Sequence, residues 1–242
     1  MLQTGVLLSI THASAMYASA MYVVPMWALH LQCCLSHLPL SITMSIGACD
    51  LAGTTFTDNM AASSGGHVYV NGSAIMHADG VTFQSSKAQA GGSLYALGNA
   101  TMVLNHTTIM GGQSTGYAGG CVYATGRSKI RLYNSAVSGC QSSMGGGGIV
   151  VFERVQLVLR NSTIFNNVAG VSAGSDLGIC GGGAVAAFEN TTISMFACKL
   201  QNNSACRGGA VYLVDQAQAE FLPPVGNWPG EHCSCKDRRY AL

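Results

Sequence analysis

The chain has 242 residues, enough for one sizeable domain with a core of its own. Only 9% are charged and the formal net charge is +1, with the basic residues scattered rather than gathered in a run. That pattern argues against a polyanion-binding surface and against nucleic acid as a partner.

Glycine is abundant at 31 residues but lacks the every-third spacing of a collagen. Ten cysteines are many for a reducing compartment. Asn71, Asn99, Asn105, Asn161, Asn190 and Asn202 each begin an Asn-X-Ser/Thr triplet and are candidate N-glycosylation sites. Cysteines and sequons together favour an extracellular or cell-surface location.

Residues 1–43 are apolar and contain no Lys, Arg, Asp or Glu. The Ala-Ser-Ala triplets at 13–15 and 18–20 resemble cleavage signals, yet the positive charge that usually opens a signal peptide is missing. Residues 21–40 approach the length of a membrane span but are interrupted by Pro25, His30, Gln32, His37 and Pro39. A signal peptide, a cap over one end of the fold and membrane association all stay open for this segment.

From Gly65 onward the chain repeats itself. Double glycines open GGHVYV at Gly65, GGSLYA at Gly91, GGCVYA at Gly119, GGIVVF at Gly147, GGAVAA at Gly182 and GGAVYL at Gly208, spaced 26, 28, 28, 35 and 26 residues apart. A second motif keeps the same time: Phe56, Phe83, Ile109, Val137, Ile164 and Leu200 are each followed three residues later by Asn59, Ser86, Gly112, Cys140, Asn167 and Asn203. An apolar pair precedes each bulky residue, at Cys49/Leu51, Met76/Ala78, Met102/Leu104, Ile130/Leu132, Leu157/Leu159 and Ile193/Met195.

Each copy thus predicts three short strands separated by turns. Alternation points Val68, Leu94, Val122, Val150, Val185 and Val211 inward, together with Val70, Ala96, Ala124, Phe152, Ala187 and Leu213. Strands this short need partners. Stacking one copy about 4.8 Å above another supplies them in parallel sheets. The expected fold is all-β: a right-handed parallel β-helix (solenoid) of about six rungs with roughly 27-residue repeats. It should occupy residues 44–213, with residues 1–43 before it and 214–242 as a C-terminal tail or cap. The Asn, Ser or Cys ending each third strand should form an internal ladder.

The FTDN at Phe56 and the GGAV at Gly182 and Gly208 resemble the paired repeats of chlamydial polymorphic outer-membrane proteins. More broadly the chain resembles right-handed parallel β-helix proteins of the pectate-lyase-like superfamily, over roughly Met44 to Leu213. That resemblance implies surface display, adhesion or contact with polysaccharide.

Chemistry is harder to find. The one break in period, between Asn167 and Gly182, predicts an inserted loop. Cys180 and Cys206 stand two residues before equivalent glycines of adjacent rungs and form the preferred disulfide pair. Cys121 and Cys140 are less clearly adjacent, and Cys49 reads as a packing residue. Cys33/Cys34 and Cys233/Cys235 lack the paired spacing of a structural zinc site, so no metal or cofactor is expected. Asp50, Asp58 and Asp79 do not share a column. Asp50 and His77 do, with Arg131 two rungs further. One acid–imidazole pair is too little to name catalytic residues.

The outward positions of the first strand read Tyr69, Tyr95, Tyr123, Val151, Ala186 and Tyr212. The tyrosines at 69, 95, 123 and 212 are the candidate binding surface. The expected function is a noncatalytic extracellular or cell-surface module for structure, adhesion or contact with glycans or other surface proteins. A polysaccharide lyase or glycoside hydrolase is the alternative.

Overall fold

The computed structural model describes residues 6–12, 19–24, 40–116, 118–170 and 181–222. The chain winds into an all-β, right-handed parallel β-helix of about six turns with repeats of roughly 27 residues. The first sheet stacks Leu40–Met44, Val68–Val70, Leu94–Ala96, Val122–Ala124, Ile149–Val151, Val185–Ala187 and Val211–Leu213 in parallel. The second stacks Ala48–Ala52, Ile75–Asp79, Thr101–Asn105, Lys129–Tyr133, Gln156–Arg160, Thr192–Phe196 and Gln218–Leu222. The third runs from Thr55–Thr57 to Lys199–Gln201 through Thr82–Gln84, Thr108–Met110, Ala136–Ser138 and Thr163–Phe165.

Except in the fourth coil of the first sheet, the apolar columns expected from the repeat meet inside. Phe56 stacks on Phe83 with ring centroids 5.0 Å apart, and Met76, Met102, Leu104, Ile130, Leu132 and Leu157 are fully enclosed. A fourth sheet of two-residue strands, Lys87–Ala88, Gln113–Ser114, Gln141–Ser142 and Val168–Ala169, was not expected. Two residues carry no periodicity that a sequence reading can detect.

The double glycine has two separate causes. Gly91 sits at φ +55, which favours a residue without a side chain, and a Cβ there would lie 2.3 Å from the Leu94 carbonyl oxygen. Gly92 has no positive φ, but its Cβ would lie 2.2 Å from the Gly120 carbonyl oxygen of the next coil. The first glycine turns the corner; the second lets coils stack.

The fourth coil corrects the register. The run Gly145 to Gly148 offers the same residue four times, and Gly146 takes the corner at φ +61, as Gly119 and Gly182 do at +71 and +69. Ile149 therefore pairs with Val122 and Val185, so Ile149 and Val151 face inward and Val150 outward. The expected inward placement of Val150 and Phe152 fails for a steric reason. Phe152 would share a column with Ala124 and Ala187, where a coil built around alanine has no room for a ring. Instead Phe152 packs beside Phe188 with centroids 5.7 Å apart.

The internal ladder is broken in its middle. Asn167 Nδ2 donates to Asn203 Oδ1 at 2.9 Å and to the Val137 carbonyl at 3.1 Å, while Asn167 Oδ1 accepts from the Cys140 amide. Ser86 bonds Ser93 within its own coil, and Asn59 donates to His67 Nδ1 at 2.7 Å. Between them Cys121 and Cys140 form a disulfide, with Cα atoms 5.4 Å apart. It reaches from one coil to the next past Gly112, where a Cβ would lie 2.8 Å from Cys121 Sγ. A second ladder went unread: Ser135 Oγ accepts from the Thr107 amide and Ser162 Oγ from the Ser135 amide.

Both ends take in residues placed outside the solenoid by the repeat. Before the first full coil, Leu40–Met44 extends the first sheet, and Val6–His12 and Ser19–Val24 continue it in antiparallel fashion. At the other end Gln218–Leu222 pairs with Thr192–Phe196. Among the described residues no helix is long and apolar enough to cross a membrane.

Candidate functional site

The first sheet carries the tyrosines outward because Leu94 and Ala96, or Val122 and Ala124, must point into the core. Tyr69, Tyr95 and Tyr123 lie in register on successive coils. Their rings stack with centroids 5.2 Å apart and planes within 8° and 9° of parallel. All three are half-buried. Since the ring faces cover one another, the ladder presents ring edges and a row of hydroxyls rather than an open aromatic platform.

The hydroxyls of Tyr95 and Tyr123 stay protonated. Burial, helped by Tyr123, Tyr69 and Glu153, pushes Tyr95 up to about 12. Tyr123 is raised by burial first and then by Glu153 and Glu189. Each phenol can both donate and accept a hydrogen bond.

Tyr212 does not join them. With the fourth coil shifted, the outward series is Tyr69, Tyr95, Tyr123, Val150, Ala186, Tyr212, and not Val151 as expected. Val150 and Ala186 are buried and form a small cluster with Ala118, packed by Tyr123, Phe188 and Tyr212. Tyr212 meets Phe188 edge-on at 6.1 Å and lies over Gly181, where a Cβ would come within 2.4 Å of the ring. The candidate surface contracts to three tyrosines.

The outward acid–imidazole column is real but bare. His77 Nδ1 and Asp50 Oδ1 are 2.9 Å apart, and each side chain is about half exposed. A second pair joins His106 to Asp79 at 3.2 Å, with Asn105 Nδ2 donating to the same carboxylate oxygen. Arg131 stands in the column of Asp50 and His77, separated from them by Val103. Among the described residues no three His, Cys, Asp or Glu side chains converge as metal ligands.

Cys206 is disulfide-bonded, while Cys180 lies outside the described residues together with most of the inserted loop. The sequon asparagines are all exposed or half-exposed, at corners and strand ends. Asn105, Asn134 and Asn161 bond one another along the outside of the solenoid, through Nδ2–Oδ1 contacts of 3.3 and 2.8 Å. The basic residues, scattered in sequence, are gathered by the fold. Arg127, Lys129 and Arg154 line one groove on the second sheet, with Asn99 and Gln156.

The geometry defines a parallel β-helix solenoid that carries columns of outward side chains on its sheets. Residues 45–222 match the family described as "Right handed beta helix region", and the chain belongs to that family. No curated protein and no solved structure matches it.

Proposed function

We propose that the protein is a noncatalytic β-helix module of an extracellular or cell-surface structure, and that it contacts glycan hydroxyls or a surface protein through Tyr69, Tyr95 and Tyr123. The observation that carries this reading is the tyrosine ladder: three stacked rings with their hydroxyls in a row at the spacing of the coils, on a sheet whose neighbouring outward positions Val150 and Ala186 are buried. Sugar hydroxyls pair well with such a row because each phenol donates and accepts. The exposed sequons and the Cys121–Cys140 disulfide support an oxidising, extracytoplasmic setting. The resemblance of the repeats at Phe56, Gly182 and Gly208 to those of chlamydial surface proteins supports display and adhesion.

A glycan array probed with wild type, Y95F/Y123F and Y95A/Y123A tests the reading. The Phe variant keeps the rings and removes the hydroxyls. Binding by wild type that falls at least about tenfold in both variants is expected from the loss of two hydrogen bonds at about 1 kcal/mol each. No wild-type binding to any glycan, or equal binding by all three proteins, would falsify it. The lyase or hydrolase alternative would rest on the solvent-exposed pairs Asp50–His77 and Asp79–His106, and among the described residues no three His, Cys, Asp or Glu side chains converge there.

A further inference from the structure

The stretch RSKIR places Arg127, Lys129 and Arg131 two residues apart, while Arg154 and Arg160 stand alone in the sequence. Folding unites them. Ile130 and Leu132 enter the core, so Lys129 and Arg131 face outward from the second sheet. The next strand lies directly above, with Gln156 opposite Lys129 and Arg160 opposite Tyr133.

Arg127 and Arg154 hold equivalent places in successive corners. The Arg127 amide donates to the Gly98 carbonyl and the Arg154 amide to the Gly126 carbonyl. Equivalent residues of neighbouring coils are about 4.8 Å apart. Arg127, Lys129 and Arg154, with Asn99 and Gln156, line an open groove of about 470 Å³.

Among the described residues no carboxylate lies within ion-pair distance of Arg127, Lys129 or Arg154. Glu153 precedes Arg154 and its charge reaches Tyr95 and Tyr123, but it makes no ion pair with Arg154. Like charges on adjacent strands repel and lower stability. A bound anion removes that cost.

We propose that this groove binds a sulfate ester of a polysaccharide. Three cations from two coils converge on one place, and a sulfate ester offers three acceptor oxygens where a carboxylate offers two. Asn99 and Gln156 add neutral groups able to bond the sugar hydroxyls beside it. Arg131 and Arg160 continue the positive face along the two strands, with the Arg160 guanidinium held 4.7 Å over the Phe196 ring. The cationic face ends there: Thr101 and Val103 flank it on the coil below, and Thr192 and Ser194 on the coil above. A short charged segment of polysaccharide fits this footprint, whereas a nucleic-acid backbone finds no basic path beyond two coils.

The test measures binding of the full chain, with Asn99 unglycosylated by mass spectrometry, to immobilised dextran sulfate. Uncharged dextran, polygalacturonate and single-stranded DNA at equal charge are the comparisons. The expected result is salt-sensitive binding to dextran sulfate, weakened about tenfold or more in R127E/R154E and also weakened in R127Q/R154Q. Binding should persist in K87E, whose cation lies on the fourth sheet, and in Y95F/Y123F, so failure of the tyrosine reading leaves this result untouched. Melting temperatures of the variants show whether each is folded. Undiminished binding by both double variants overturns the proposal. So does an equal loss in K87E, or binding to polygalacturonate or DNA as tight as to dextran sulfate.

Discussion

In the first coil the interior position after the double glycine holds His67, and two coils further on the same position holds Cys121. His67 is fully buried, accepts a hydrogen bond from Asn59 and lies 5.9 and 5.7 Å from the Phe56 and Phe83 rings. Cys121 is bonded covalently to Cys140 of the next coil. One region relies on aromatic packing around a neutral imidazole, the other on a bond that ignores protonation. A solenoid permits both, because each coil contacts only its neighbours and can fill the same column with different chemistry.

Acid should separate the two regions most strongly. Burial lowers His67 to about 3, which attraction from the Gln84 backbone only partly opposes, and its Nε2 has no hydrogen-bond partner. In the unfolded chain the ring titrates near 6.5. Between those values only the unfolded state takes up the proton, so stability falls as pH drops below 6.5 and the loss levels off below 3. The loss should reach roughly 3 kcal/mol by pH 4. Urea unfolding across this range should show a shallower loss for H67Q than for wild type. Hydrogen exchange at pH 4 should open the coil of His67 before that of Cys121, and the reverse order would contradict the contrast.

Removing the disulfide probes the other side. C121S/C140S frees a loop closed across 19 residues and should cost about 3 kcal/mol, read as a lower urea midpoint. Its pH dependence should match that of wild type, because His67 is untouched. A smaller loss is expected in the upper coils. N167A leaves the buried Cys140 amide without its acceptor and removes two donated bonds, for about 2 kcal/mol. Calorimetry showing no change in N167A would mean that the amide ladder contributes nothing to those coils.

The inward columns were legible because their cause is local and repeated. Phe56, Phe83, Ile109, Val137, Ile164 and Leu200 recur in register with the apolar pairs before them, and the structure stacks them as expected. The outward tyrosines at 69, 95 and 123 followed from the same alternation. The fourth coil did not, since four identical glycines give alternation no fixed origin and the space beside Ala124 and Ala187 chooses between the registers. Gly112 carries no side chain to add to the polar ladder. In the folded chain it makes room for the disulfide.

By itself the sequence determined the period, the strand faces and hence the solenoid, because hydrophobic alternation and corner glycines act over a few residues. The tertiary structure alone decided which distant side chains meet. Cys121 reaches Cys140 because the corner between sheets brings the two positions to 5.4 Å at Cα, and Arg154 comes to stand beside Arg127 and Lys129 because stacking brings residues about one repeat apart to within about 5 Å. Charges that look dispersed along the chain thereby become one face. Partner choice across coils depends on register and side-chain volume summed over neighbouring coils, a quantity that no single repeat contains.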